Sequence, residues 1–145
     1  MMIEQDTIKL LRECDAGIKM GTASIGEVLD HVKGKDFTGK LKECKREHEQ
    51  LRQEVQHLLD KYNDEGKDPN PIAKGMTWMK TTIKLGIEES DATIADLMTD
   101  GCNMGVKSLN RYLNQYKAAD EVSKDITKRL INLEEQLAMD IRQYL

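Results

Sequence analysis

The chain lacks most of the sequence devices that announce a chemistry. It has no glycine-rich phosphate loop, no nucleophile elbow, and no basic strip interleaved with aromatic residues. Nucleotide cradling, serine hydrolysis and nucleic-acid readout each lose their usual carrier. Twenty-six acids against 22 bases give a net charge of -4 with no basic cluster, which argues against nucleic acid or an anionic membrane as a partner. No apolar run approaches the roughly 20 residues that span a bilayer. The opening "MMIEQDTIK" is acidic and has no signal-peptide h-region. Cysteine is scarce: three residues, an odd number without Cys-x-x-Cys spacing, suit a reducing cytoplasm better than a disulfide framework. There are two prolines, Pro69 and Pro71, and no segment alternates polar and apolar residues with period two over a useful length. The expectation is an all-α cytoplasmic protein.

What is present is helical periodicity. At 145 residues the chain suits one domain, which at this size buries roughly two-thirds of its unfolded surface. Thr7, Leu11, Cys14, Ile18, Gly21, Ile25, Val28 and Val32 follow steps of four and three, one face of a long helix. It stops at "KGKDFTG", where Gly34 suits a C-terminal cap and Asp36 or Thr38 the start of the next helix. Leu41, Cys44, His48, Leu51, Val55, Leu58 and Tyr62 form a second stripe, which "NDEGKDPNP" breaks. Ile72, Met76, Met79 and Ile83 mark a shorter amphipathic stretch, and Ser90 or Asp91 offers the next N-cap. Met98, Cys102, Leu109 and Leu113 lie on a third long helix. Val122, Ile126, Leu130, Leu133, Leu137, Ile141 and Tyr144 lie on a fourth.

The chain also repeats itself. "CDAGIK" from Cys14 matches "CNMGVK" from Cys102, and the same shift pairs Leu10 with Met98 and Ile25 with Leu113. "EQLRQEVQHLL" from Glu49 lies over "EQLAMDIRQYL" from Glu135, pairing Glu54 with Asp140 and Val55 with Ile141. A duplicated helical hairpin predicts a four-helix bundle with pseudo-two-fold symmetry. Hairpin one would cover about residues 3–63, a long crossover with its own short helix 64–89, and hairpin two about 90–145, the ferritin-like arrangement. Gly17 and Gly105 then read as points of close helix packing, since glycine costs about 1 kcal/mol in a helix interior.

"IKLLRECDAGIK", "PIAKGMTWMKTTI" and "LMTDGCNMGVKSLNRYL" resemble segments of a bacterial ferritin-like family of unknown function, the domain-of-unknown-function 2383 proteins. The resemblance covers nearly the whole chain. In it Gly17 and the pair Trp78-Met79 match, Asp15 falls where the family carries a glutamate in its first helix, and Cys102 replaces the acid of its third. It implies the fold and lends little on activity.

A ferritin-like di-metal site for iron or manganese needs a carboxylate from one helix and a Glu-x-x-His from its partner in each half. The first half offers Asp15 with Glu54 and His57, at matching heights. The second offers Asn103 or Cys102, then Asp140 and Gln143, so one half-site is plausible and the other degraded. Helical angles put Glu54 at the edge of the apolar face and His57 outside it. The alternative is that Asp15 and Glu54 are boundary charges and His57 is solvated. His48 does face inward, and its repeat partner Glu134 suggests a buried polar pair, with partial exposure or a single-metal role as the other readings. Cys14 and Cys102 lie on core faces and read either as small buried apolar residues or as a thiol pair near the two-fold axis. Met76, Met79 and Trp78 read as core packing or as the cap of an apolar groove for a partner or second subunit. No catalytic residue emerges, and iron or manganese is the one cofactor class the pattern suggests. The leading expectation is a non-enzymatic bundle with an interaction or stress-related role. A metal-binding protein is the runner-up and a thiol-based redox protein the third reading.

Overall fold

A computed structural model describes residues 2–69 and 90–145. Four helices pack together, and no strand occurs among the described residues. They are α1 (Met2–Leu29), α2 (Lys35–Lys61), α3 (Asp91–Gln115) and α4 (Glu121–Ile141), followed by a 3₁₀ turn at Arg142–Tyr144. The stretch carrying Ile72, Met76, Trp78, Met79 and Ile83 lies outside the described residues.

The apolar stripes sit where helical spacing puts them. On α1 Thr7, Leu11, Cys14, Ile18, Ile25 and Val28 are buried, and on α2 Leu41, Cys44, His48, Leu51 and Val55 are buried. Three details depart from the sequence reading. Leu59 rather than Leu58 closes the α2 stripe, and Val122 is exposed. Gly34 is no C-cap. It is the N-cap of α2, in extended backbone at φ -73°, and its N–H donates to Asp91 Oδ2 at 2.8 Å. A Cβ there would meet that oxygen at 2.9 Å, so the close carboxylate explains the glycine. Ser90 caps α3 by accepting from Thr93 N, and Asp120 caps α4 by accepting from Ser123 N.

Two core clusters fix the helix directions. One joins Ile25 and Val28 near the end of α1, Phe37 and Leu41 near the start of α2, Ile94 and Met98 near the start of α3, and Leu137 and Ile141 near the end of α4. The other joins Leu11 and Cys14, Val55 and Leu59, Leu109, and Ile126 and Leu130. Thus α1 runs with α4, and α2 runs with α3 in the opposite direction. Loop contacts agree. The Lys33 and Gly34 amides bond Asp91 at the head of α3, while Asp6 and Thr7 of α1 accept from Ala118 N and Asp120 N in the α3–α4 loop. No described helix is long and apolar enough to cross a membrane.

Candidate functional site

α1 and α3 do not close on one another along their whole length. Small residues at helical spacing, Gly17 and Gly21 on α1 and Gly101 and Gly105 on α3, leave a groove of about 320 Å3 between them. Leu130, Glu134 and Leu137 of α4 and His48 of α2 form its floor. A volume of this order falls at the lower end of small-molecule sites, roughly 300–1,000 Å3.

The polar heart of that floor is His48 with Glu134. His48 is 1% exposed. Its Nδ1 lies 2.8 Å from the carbonyl oxygen of Cys44 and its Nε2 lies 3.1 Å from Glu134 Oε1. A carbonyl can only accept, so Nδ1 donates, and facing the carboxylate Nε2 donates too. Two ring donors mean an imidazolium. Burial opposes that charge, but the Cys44 side chain, whose Sγ lies 3.5 Å from Nδ1, and then Glu134 outweigh it and push the His48 pKa up to about 10. A Cβ at Gly21 would come within 3.1 Å of His48 Cδ2 and Nε2, so α1 presses on the ring from above. Gly17, by contrast, has only ordinary contact, with Leu130 Cδ2 at 3.8 Å, and Gly105 likewise with Glu134. Close packing therefore belongs to Gly21 rather than to the matched pair Gly17 and Gly105.

Asp15 is 4% exposed and faces cations and amides rather than other ligands. Lys19 Nζ sits 2.8 Å from its Oδ2, and Lys67 N donates to the same oxygen at 3.1 Å. Glu54 turns the other way, toward α4, where Arg129 Nη1 and Nη2 donate to its two oxygens at 2.9 Å each. That fork holds the Glu54 carboxyl below its ordinary pKa. His57 is exposed. Asp15, Glu54 and His57 are thus not brought together, and among the described residues no three His, Cys, Asp or Glu side chains are arranged to hold a metal ion. These residues do not fit a di-metal centre. Of the second half, Asp140 Oδ1 accepts from Gln136 Nε2, and Gln143 Nε2 donates to the Asp140 carbonyl.

The cysteines also part company. Cys14 belongs to one core cluster and Cys102 to the other, and all three thiols are free. The reason is direction. α1 and α3 are antiparallel, so positions that match in sequence fall on opposite sides of the bundle midpoint. Ala118 is level with Asp6, so Cys102, sixteen residues earlier, lies level with about residue 22 of α1. That is eight residues beyond Cys14, or about 12 Å at about 1.5 Å rise per residue. Cys14 instead meets Thr127 at 3.2 Å; since Thr127 Oγ1 donates to the Ser123 carbonyl, the thiol is the donor. Burial pushes the Cys14 thiol up to about 12, and burial beside Glu134 pushes Cys102 upward as well. Cys102, His48 and Glu134 resemble a nucleophile triad only in composition. The carboxylate accepts from the imidazolium and acts directly on the thiol, so no neutral base stands beside the sulfur.

Sequence reasoning missed Arg129, Thr127 and the groove. The first two are cross-helix partners that spacing along one helix cannot reveal. The groove did leave a signal, the glycines four apart on α1 and on α3. No family model, curated protein or solved structure matches the chain.

Proposed function

We propose that this chain is a ferritin-like four-helix bundle of two related hairpins, similar to the domain-of-unknown-function 2383 proteins, that works without catalysis in an interaction or stress-related role. The observation that carries the reading is the fate of its candidate ligands. Asp15 is committed to Lys19 and the Lys67 amide, Glu54 to Arg129, and the inward-facing histidine to Cys44 and Glu134. A metal would have to compete with these partners for each group, and among the described residues no three such side chains converge on one point. The ferritin-like topology is supported by the shared direction of α2 and α3, which puts the end of α2 and the start of α3 at opposite ends of the bundle. The cytoplasmic setting rests on the sparse, free cysteines.

The metal-binding reading retains one support, the sequence match of Asp15 and the Glu54-x-x-His57 spacing. Elemental analysis of protein purified without chelator separates the two. Our reading predicts iron and manganese well below one atom per chain. About two atoms per chain, lost in Glu54→Ala, would overturn it. The thiol reading fails if mild oxidant leaves the thiol titre unchanged, the result expected for thiols this buried.

A further inference from the structure

The six residues after the α2 turn do not strike out into solvent. Tyr62 ends α2, Asn63 adopts φ 54°, and Asp64 N returns to the Leu59 carbonyl, which turns the chain back toward α1. From there Asp64 to Pro69 run along α1, and Asp64, Gly66, Lys67 and Asp68 each meet one of its side chains. Arg12 Nε donates to both Asp64 oxygens, at 3.1 and 3.0 Å, and holds that carboxyl below its ordinary pKa. Glu13 accepts from Lys67 Nζ. Asp15 Oδ2 accepts from Lys67 N, and Lys19 bridges Asp15 Oδ2 to Asp68 Oδ1, the latter at 3.1 Å. Gly66 has φ 83°, and a Cβ there would stand 2.3 Å from Asp15 Oδ2, so the strap and the buried carboxylate fit only through a glycine. The upper part of the strap, Lys67 and Pro69, lines the same groove as Cys102 of α3.

We propose that Arg12, Glu13, Asp15 and Lys19 form an electrostatic latch that holds the strap 64–69 against the rim of the α1–α3 groove, and that releasing the latch opens the groove to solvent. The latch has two layers. Its outer pairs include Asp68, 91% exposed, and Arg12 and Lys67, both close to half exposed, and salt screens them. Its inner contact, the buried Asp15 carboxylate with the Lys67 amide against Gly66, is part-buried and is screened less by salt. The device thus gives Asp15 a purpose other than ligation: it positions a segment of backbone. It holds whether or not the bundle has the role proposed above.

Cys102 reports the open state, because it lines the groove at 2% exposure, whereas Cys14, between the latch residues Glu13 and Asp15 in the other core cluster and bonded to Thr127, reports any general loosening of the bundle. The experiment is pulse labelling of the full chain with N-ethylmaleimide under native conditions, read by peptide mass spectrometry. Gly66→Ala should raise the labelling rate of Cys102 about tenfold or more, the scale of a lost charged hydrogen bond, and leave Cys14 unchanged. Asp15→Asn provides a second variant without the steric insult, and concentrated salt alone should produce a smaller rise at Cys102 only. If Cys102 stays protected in both variants, or if Cys14 and Cys102 rise together, the strap does not control the groove and the latch is wrong.

Discussion

Glu134→Gln isolates the buried charge pair, because it keeps the shape of the side chain and removes only the carboxylate. In the native protein the imidazolium of His48, 1% exposed, is stabilised by that carboxylate at 3.1 Å and by the Cys44 carbonyl at 2.8 Å. Removing one partner of a buried ion pair costs about 3–5 kcal/mol while the other remains charged. His48 can escape by losing its proton, so the cost must depend on pH. Its folded pKa, about 10, stands above the ordinary 6.5. The stabilisation that the imidazolium draws from Cys44 and Glu134 together is therefore complete below about pH 6.5 and fades as pH climbs toward 10, at about 1.4 kcal/mol per unit. In the variant, burial acts without the carboxylate and favours the neutral ring. The Cys102 thiol beside the pair is pushed upward and does not titrate in this window. Urea unfolding at pH values of about 6, 7.5 and 9 should show the gap between native and variant protein shrinking from about 3–5 kcal/mol to about 1 kcal/mol. A gap that stays constant over this range would refute the charged pair.

The glycines of α1 make a second test. Gly17→Ala should leave stability unchanged or raise it by about 1 kcal/mol, because its Cβ meets only Leu130 at 3.8 Å and alanine is the better helix former. Gly21→Ala should lower stability by about 1–3 kcal/mol, because its Cβ presses within 3.1 Å of the His48 ring; thermal melts of the two variants check the opposite signs. Glu54→Ala should cost at most about 1 kcal/mol in denaturant unfolding, since both Glu54 and Arg129 are about half exposed and water replaces the fork. Thr127→Val should destabilise by about 1–2 kcal/mol, by leaving the buried Cys14 thiol and the Ser123 carbonyl without their hydroxyl partner; the same unfolding assay reads it.

Helical spacing made the buried faces of α1 and α2 legible, because a 3.6-residue period puts steps of three and four on one side whatever the neighbours are. The same arithmetic, carried across the internal alignment, put His48 and Glu134 at corresponding inner positions, which lie 3.1 Å apart in the structure. Relations that depend on how helices are laid beside one another were not legible. Cys14 and Cys102 match in sequence, yet antiparallel packing sends them to different halves of the core. Arg129 captures Glu54 from another helix, and nothing along α2 announces it. The partner of Asp15 that fixes its role is a backbone amide of an irregular segment, and amides carry no sequence signature. Gly34 departs from the C-cap pattern because its reason is a carboxylate on a distant residue, Asp91, rather than a left-handed backbone.

The central claim is that His48 is held as an imidazolium against Glu134 and the Cys44 carbonyl, so that its ring offers no nitrogen lone pair to a metal. Nitrogen-15 NMR of the imidazole of His48 tests it most directly, because it sees both ring nitrogens. The account predicts that Nδ1 and Nε2 both carry protons at pH 8 and keep them until the pH nears about 10. A ring that loses a proton near pH 6.5 and presents a free lone pair at pH 8 would contradict it.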